Sequence, residues 1–347
     1  KTMAKKKIGI IGATGYTGSE LVRILTNHPD VEITMITSES RSGELFSDVH
    51  PFLQGIADQK LVSINQINEY ELDLVFLALP HGVSMDFAKR FKDRSFKIID
   101  LSGDFRLSSQ KVYEEWYNLD HIYPEGIEKA VFGSPELYFD EIKAARLTAN
   151  PGCFPTTAIL GLAPLLADKL IDTDTIIVDS KTGVTGAGIK AKSVNMYSNV
   201  NDNFKAYGLK KHRHTIEIQG ILNRVSGKDT LIQFTPHLLP VDRGILSTIY
   251  TRPTEKIDNK KLKELYASFY ANAPFVRLRE QEPSIKDVRG SNYCDLFVTY
   301  DERTNMIIVI SVIDNLIKGA AGQAVQNMNI MLGLEEAKGL NLIPLNP

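Results

Sequence analysis

The sequence predicts an α/β chain in two parts: a Rossmann-type domain built on a parallel sheet, and a second, α+β domain with a mixed or antiparallel sheet. Three observations predict it. Strand-like and helix-like segments alternate through the first 150 residues. A glycine-rich turn follows the first strand directly. Beyond residue 150, longer strands succeed one another with few helices between them.

Composition sets the outer limits. The 347 residues leave room for about two domains. Forty basic against 42 acidic side chains give a formal charge of -2, and 43% of residues are apolar. Those values exclude a disordered tail, a nucleic-acid coat and a collagenous fibre. Two cysteines cannot form a disulfide framework, so a reducing, cytoplasmic setting is expected. The basic residues 1–7 ahead of IGII at 8–11 are not read as a signal peptide, because Gly9 breaks the apolar run and Gly12 ends it. No apolar stretch approaches the ~20 residues of a membrane helix. Neither nucleic acid nor membrane is expected as a partner.

In chain order, residues 7–11 read as a buried strand. Residues 16–25 place Leu21, Val22 and Leu25 on one helical face, and Asn27-His28-Pro29 ends that helix. Strands are predicted over 31–37, 72–79 and 97–101. The groups that follow them are SESR at 38–41, PHG at 80–82 and SGD at 102–104. Ligands gather at such carboxyl ends in open parallel sheets, which makes Pro80, Ser102 and Gly103 candidate cofactor contacts. A strand at 146–149 runs into NPGCFP at 150–155, followed by helical spacing over 156–170. Strands then follow at 175–179, 230–236, 245–251, 293–300 and 306–313, with a helix over 260–271. Residues 319–334 read as a helix rich in small residues, able to pack closely on the first domain. The expected division is 1–149 with 319–347 for the first domain, and 150–318 for the second.

GATGYTG at 12–18 follows a strand and opens a helix, the context of a dinucleotide fingerprint. Its spacing is GxxGxxG rather than GxGxxG. Gly12, Thr14, Gly15, Tyr16, Thr17 and Gly18 are the candidate pyrophosphate contacts. At the end of the second strand Ser38, Ser40 and Arg41 suit a 2'-phosphate, which favours NADP over NAD, although Glu39 is the residue type that would hold an NAD ribose.

Cys153 stands at the predicted start of a helix, where the dipole and open N–H groups favour thiolate. A thiolate there is a nucleophile for an acyl group, and the same N–H groups suit the oxyanion that forms. Cys294, inside a strand-like run, reads as a small buried hydrophobe. His212 and His214, with Glu217 three residues on, offer a base near neutral pH and lie on one side of what reads as an extended segment. No set of residues completes a metal site. Tyr207 and Lys211 fit the YxxxK of short-chain dehydrogenases, but Gly208 is poor in the helix that pair needs, and Cys153 would go unused.

Together, GATGYTGSEL, LPHG at 79–82, DLSGDFR at 100–106, NPGCFPT at 150–156, KTGVTGAG at 181–188, AYG at 206–208, HRHTIEI at 212–218 and DNLIKGAAGQAVQNMN at 314–329 resemble the N-acetyl-gamma-glutamyl-phosphate reductases of arginine biosynthesis. Those enzymes lie within the wider semialdehyde dehydrogenase superfamily. The resemblance implies reduction of N-acetyl-L-glutamyl 5-phosphate by NADPH to N-acetyl-L-glutamate 5-semialdehyde and phosphate. It implies Cys153 as the nucleophile that forms a thioester and His214 as the acid/base. His212, Tyr207 and Glu217 would shape the substrate pocket together with Asn150, and Arg106 and Lys181 would meet phosphate or carboxylate. Asn315, Gly319 and Gln323 would lie near the nicotinamide. The second domain would carry catalysis and assembly of a homodimer or homotetramer through its sheet. Alternatives are a related reductase of aspartyl or carrier-linked aminoadipyl phosphate, and a non-catalytic NADP sensor, which would need neither Cys153 nor the histidine pair.

Overall fold

A computed structural model describes residues 4–347. Residues 1–3, part of the basic stretch weighed above as a leader, lie outside the described residues. The chain divides into two compact units, the first made of 1–151 and 320–341, the second of 152–319 and 342–347. The last six residues therefore leave the unit to which the sequence reading gave the whole tail. A main-chain bond from Leu345 N to Arg289 O, 2.8 Å, ties them to the second unit.

The first unit is a six-stranded, wholly parallel sheet in the order β2-β1-β3-β4-β6-β5. Its strands are β1 (Lys6–Ile11), β2 (Val31–Ile36), β3 (Leu74–Leu77), β4 (Lys97–Asp100), β5 (Val131–Phe132) and β6 (Leu147–Ala149). Buried apolar runs such as Leu74-Val-Phe-Leu77, all at 0% exposure, are what a sheet covered on both faces requires. Because β2 pairs on one side of β1 and β3 on the other, the strand order reverses at β1. That switch point is where such sheets take ligands. Helix α1 (Tyr16–Leu25) follows it directly, and α2 (Ser84–Arg90), α3 (Gln110–Tyr117) and α4 (Pro135–Ala144) follow the later strands. The C-terminal helix Gly322–Met331 is buried along its whole length in this unit. Gln323 Nε2 and Asn327 Nδ2 both donate to Gly133 O, at 2.8 and 2.9 Å.

The second unit is a seven-stranded mixed sheet in the order β11-β12-β13-β10-β7-β9-β8. Its strands are β7 (Ile176–Thr182), β8 (Lys205–Ala206), β9 (Ile232–Leu238), β10 (Ile245–Thr251), β11 (Val276–Leu278), β12 (Cys294–Asp301) and β13 (Met306–Ile313). Helices α5 (Cys153–Ala167), α6 (His214–Ser226) and α7 (Asn259–Phe269) belong to it. Helix α5 is apolar all round and buried from Phe154 to Leu166, as a central helix must be. A hydroxyl chain, Thr157 to Ser247 at 2.7 Å and Ser247 to Ser180 at 2.6 Å, joins it to the sheet. Pro164 has no N–H to give to Leu160 O, and Tyr270 Oη donates there instead at 2.5 Å. Strands β5, β8 and β11, two or three residues long, lie outside the strands expected from the sequence, since so few residues show no alternation of their own. Among the described residues no helix is long and apolar enough to cross a membrane.

Candidate active site

Strand β6 ends at Ala149, and Gly152 caps α5, so that Cys153 is the first residue of that helix and half-buried. No side chain caps this helix start, and its first turn holds no acid. The N–H groups and the positive end of the dipole thus lie at the thiol. A Cβ on Gly152 would stand 2.5 Å from His214 Nε2, so the imidazole lies directly on the residue before the cysteine. Only glycine permits that approach. On the other side a Cβ on Gly319 would stand 2.8 Å from Cys153 Cβ. Gly319 belongs to a single π-helical turn, Ile317–Ala321, closed by its N–H on Asp314 O at 3.0 Å. Gly319, expected beside the nicotinamide, thus packs on Cys153.

The segment holding the two histidines is not extended. Helix α6 begins at His214, with Glu217, Ile218, Ile221 and Leu222 buried at helical spacing. The β-branched run TIEI mimics a strand locally, and the apolar stripe decides for helix. His214 N donates to His212 Nδ1 at 3.2 Å, which makes the other nitrogen, Nε2, the donor of a neutral ring. Burial, with the charge of Arg213 adding to it, pushes His212 down to about 4, so it is neutral at physiological pH. Phe154, Phe234 and Tyr207 surround its ring at centroid distances of 5.3 to 5.6 Å from one another or from it. The His212 and His214 rings lie 4.8 Å apart. Burial first, then the charge on Cys153, raises the Tyr207 phenol above its ordinary range, so it remains a donor. Tyr207 follows β8 and precedes the left-handed Gly208, which removes the helical YxxxK reading. Glu217 is buried, and its Oε1 accepts Gly152 N at 2.8 Å.

Other predicted substrate residues are engaged within the fold. Arg106 donates from Nε to Asn150 O and from Nη2 to Leu101 O, both at 2.7 Å. Asn150 gives its Nδ2 to Ala320 O at 3.1 Å and accepts Asn327 Nδ2 at 3.1 Å. Lys181 alternates with Ser180, so it faces away from α5, and its Nζ lies 3.1 Å from Asp179 Oδ1. Asn315 accepts Gly244 N at 2.8 Å and donates to Thr185 Oγ1 at 2.9 Å.

In the first unit the glycine turn leaves the start of α1 open. Gly12 has φ +86°, and a Cβ there would stand 2.6 Å from Ala78 O. Gly15 caps α1 with open space where its Cβ would be, and no side chain closes that helix start. Thr14, Tyr16 and Thr17 are partly exposed around it, and Gly18 is buried in the first turn. Thr37 Oγ1 accepts Gly12 N at 3.1 Å, which fixes the turn to the end of β2. Next along, Ser38 is buried, Ser40 exposed, and exposed Arg41 pairs with Glu44 at 3.0 Å. Glu39 turns aside, accepting Ile64 N at 2.7 Å and Ser63 Oγ at 3.1 Å. These residues fit a dinucleotide pyrophosphate at the start of α1. Gln323 keeps a buried Oε1 without a hydrogen-bond partner among the described residues.

Two family models match the chain, "Semialdehyde dehydrogenase, NAD binding domain" over 7–145 and "Semialdehyde dehydrogenase, dimerisation domain" over 153–315. N-acetyl-gamma-glutamyl-phosphate reductase of Pelotomaculum thermopropionicum is 50% identical over 338 residues, 96% of this chain and 97% of that one. The proteins of that name from Alkaliphilus metalliredigens and Bacillus subtilis are each 48% identical, over 98% of this chain and 99% and 100% of theirs. The chain belongs to the N-acetyl-gamma-glutamyl-phosphate reductase family. It is therefore an oxidoreductase. Solved structures share the fold of this reductase at low identity. Aspartate semialdehyde dehydrogenase II of Vibrio cholerae, complexed with ASA, has a TM-score of 0.72 at 16% identity, over 95% of this chain and 99% of that one. Aspartate semialdehyde dehydrogenase of Candida albicans, with NADP, has 0.68 at 18%, with the same coverage.

Sequence reasoning missed how the reductase anchors its loops at the ends of β3 and β4. Asp104, fully buried, accepts Gly82 N at 2.8 Å, Met85 N at 3.0 Å and Tyr113 Oη at 2.9 Å. His81 Nδ1 accepts Gly103 N at 2.8 Å, and Ser102 Oγ donates to Asp100 at 2.8 Å. Burial, and then the charge of Asp104, raises Asp100 to about 6. The repeated aspartates of DLSGD beside a strand end were the available signal.

Proposed function

We propose that this chain reduces N-acetyl-L-glutamyl 5-phosphate with NADPH to N-acetyl-L-glutamate 5-semialdehyde and phosphate, in arginine biosynthesis. The observation that carries the reading is the contact of His214 Nε2 with Gly152, immediately before a cysteine at a helix start. Relatives at 48 to 50% identity over nearly the whole chain support the substrate.

The Cys153 thiolate attacks the acyl carbon, a C–S bond forms, and the C–O bond to phosphate breaks, releasing inorganic phosphate. The N–H groups at the start of α5 hold the oxyanion, and the helix dipole favours the thiolate beforehand. The bound nicotinamide cofactor supplies the hydride that takes the thioester to the aldehyde level. His214 delivers and removes the proton on the tetrahedral oxygen, and C–S cleavage returns the cysteine. Neutral His212 and protonated Tyr207 donate hydrogen bonds to the substrate. The first unit is assigned to the cofactor and the second to catalysis.

Two side chains support NADP over NAD. Glu39, which would hold a ribose hydroxyl, is spent on Ser63 and Ile64, whereas Arg41 is exposed and held by a surface pair. A homo-oligomer formed through the sheet of the second unit is supported by its matched domain and by Ile177, 43% exposed on the open face of β7. The cytoplasm is the proposed location.

The experiment is phosphate-dependent NADP+ reduction by the purified protein. N-acetylglutamate 5-semialdehyde should exceed aspartate semialdehyde by at least ~10²-fold in kcat/KM, because a pocket shaped for a neutral amide strips a free ammonium of water and returns no partner. Preference for aspartate semialdehyde or for a carrier-linked aminoadipate semialdehyde would overturn the substrate assignment.

A further inference from the structure

We infer that Glu217 is a positioning residue for the nucleophile, tying the start of the helix that carries Cys153 to the start of the helix that carries His214. The inference rests on the reading of Cys153 as nucleophile. It replaces the expected role of Glu217 in the substrate pocket.

Glu217 is 2% exposed, and its Oε1 accepts the N–H of Gly152 at 2.8 Å. Gly152 is extended, at φ -68° and ψ 158°, so its N–H lies outside the α5 hydrogen-bond ladder. Its carbonyl is already committed to the helix, accepting Thr156 N at 3.1 Å and Thr156 Oγ1 at 3.0 Å. The Glu217 bond therefore fixes the other end of the same residue. Glu217 lies three residues after His214, on the same face of α6. One helix face thus holds Gly152 twice, by imidazole against its Cα and by carboxylate on its N–H. A bond to a carboxylate is among the stronger hydrogen bonds, and a buried N–H without it would move to find another acceptor. Cys153 is the next residue and would move with it. Misplacing an attacking atom by ~1 Å costs about 10²-fold in rate.

The test compares Glu217→Ala, which removes the acceptor, with Glu217→Gln, which keeps an acceptor oxygen of the same reach. Two readouts are taken on the full chain: the rate of Cys153 alkylation by iodoacetamide, Cys294 being fully buried, and kcat and KM in phosphate-dependent NADP+ reduction with N-acetylglutamate 5-semialdehyde. Glu217→Ala should slow alkylation and lower kcat about 10²-fold with KM for the semialdehyde little changed. Glu217→Gln should recover most of both losses. A raised KM at unchanged kcat would make Glu217 a substrate contact and overturn the inference, as would equal losses in the two variants. Should Glu217→Ala fail to fold, Glu217→Gln decides alone, since loss of kcat with the acceptor retained overturns the role. Cys153→Ala separates the two levels. Turnover in that variant would refute the nucleophile itself, whereas an inactive Cys153→Ala beside a fully active Glu217→Ala would overturn only the positioning role.

Discussion

Nε2 of His214 lies where the side chain of any residue but glycine at position 152 would have to be, 2.5 Å from the point a Cβ would occupy. His214 and the residue before Cys153 are thus in direct contact, and neither can shift alone. Gly152→Ala should push the imidazole off its seat. The expected result is a fall in kcat of about 10²-fold, read by steady-state kinetics, with cofactor binding preserved in a fluorescence titration.

Cys153 is the half-buried thiol at a helix start, while Cys294 is sealed inside β12 with its Sγ 3.6 Å from Ser311 Oγ. Iodoacetamide should therefore inactivate the enzyme through Cys153 alone, with substrate protecting it. Cys153→Ala should abolish turnover and leave NADPH binding intact. Near-normal rates in that variant would refute the thioester mechanism.

The two histidines should separate by pH and by kinetic constant. His212, held down to about 4 by burial, does not change charge between pH 5 and 8. His212→Asn should leave the shape of the pH–rate profile unchanged in that window and act mainly on KM. His214→Asn should lower kcat by ~10² to 10⁴-fold, the usual worth of a general acid/base. The reverse pattern would exchange their roles.

Arg41 is exposed and paired with Glu44, a surface contact worth ~0 to 1 kcal/mol that a 2'-phosphate can displace. A charge-assisted bond to that phosphate contributes about 1.5 to 3 kcal/mol, so Arg41→Ala should weaken NADPH by roughly 10 to 150-fold. NADH should hardly change. Equal losses for both, measured by titration, would remove Arg41 from the phosphate site.

Asp100 gives a stability prediction with a definite sign. Its carboxyl is raised to about 6 in the folded protein against an ordinary 3.8, because it is buried beside Asp104. A raised carboxyl favours the folded state at low pH, and that contribution is lost as pH climbs from about 4 through about 6. Above pH 6 the buried charge destabilises by on the order of 1 to 3 kcal/mol. Asp100→Asn should unfold at a higher temperature than the parent at pH 8, with the gap closing toward pH 4. A constant gap across thermal melts from pH 4 to 8 would show that charge is not the cause.

The sequence by itself determined the alternation that makes the first sheet parallel, the glycine turn after β1, and Cys153 at the start of α5, because each is written within a dozen neighbouring residues as period, glycine spacing or a helix-start signal. Its motifs also carried the family, through segments such as HRHTIEI. Only tertiary structure decided the rest. The run TIEI is helix because Ile218, Ile221 and Leu222 are buried on one face, which a local β-branched pattern could not announce. Arg106 and Asn150 were read as substrate ligands from residue type, yet their polar atoms hold main chain and the C-terminal helix, partners that residue type does not name. Glu217 meets Gly152 across 65 residues of chain, and Gly319 meets Cys153 across more than twice that separation. Such contacts depend on which elements come to lie side by side, and burial of apolar faces over the whole unit selects that arrangement.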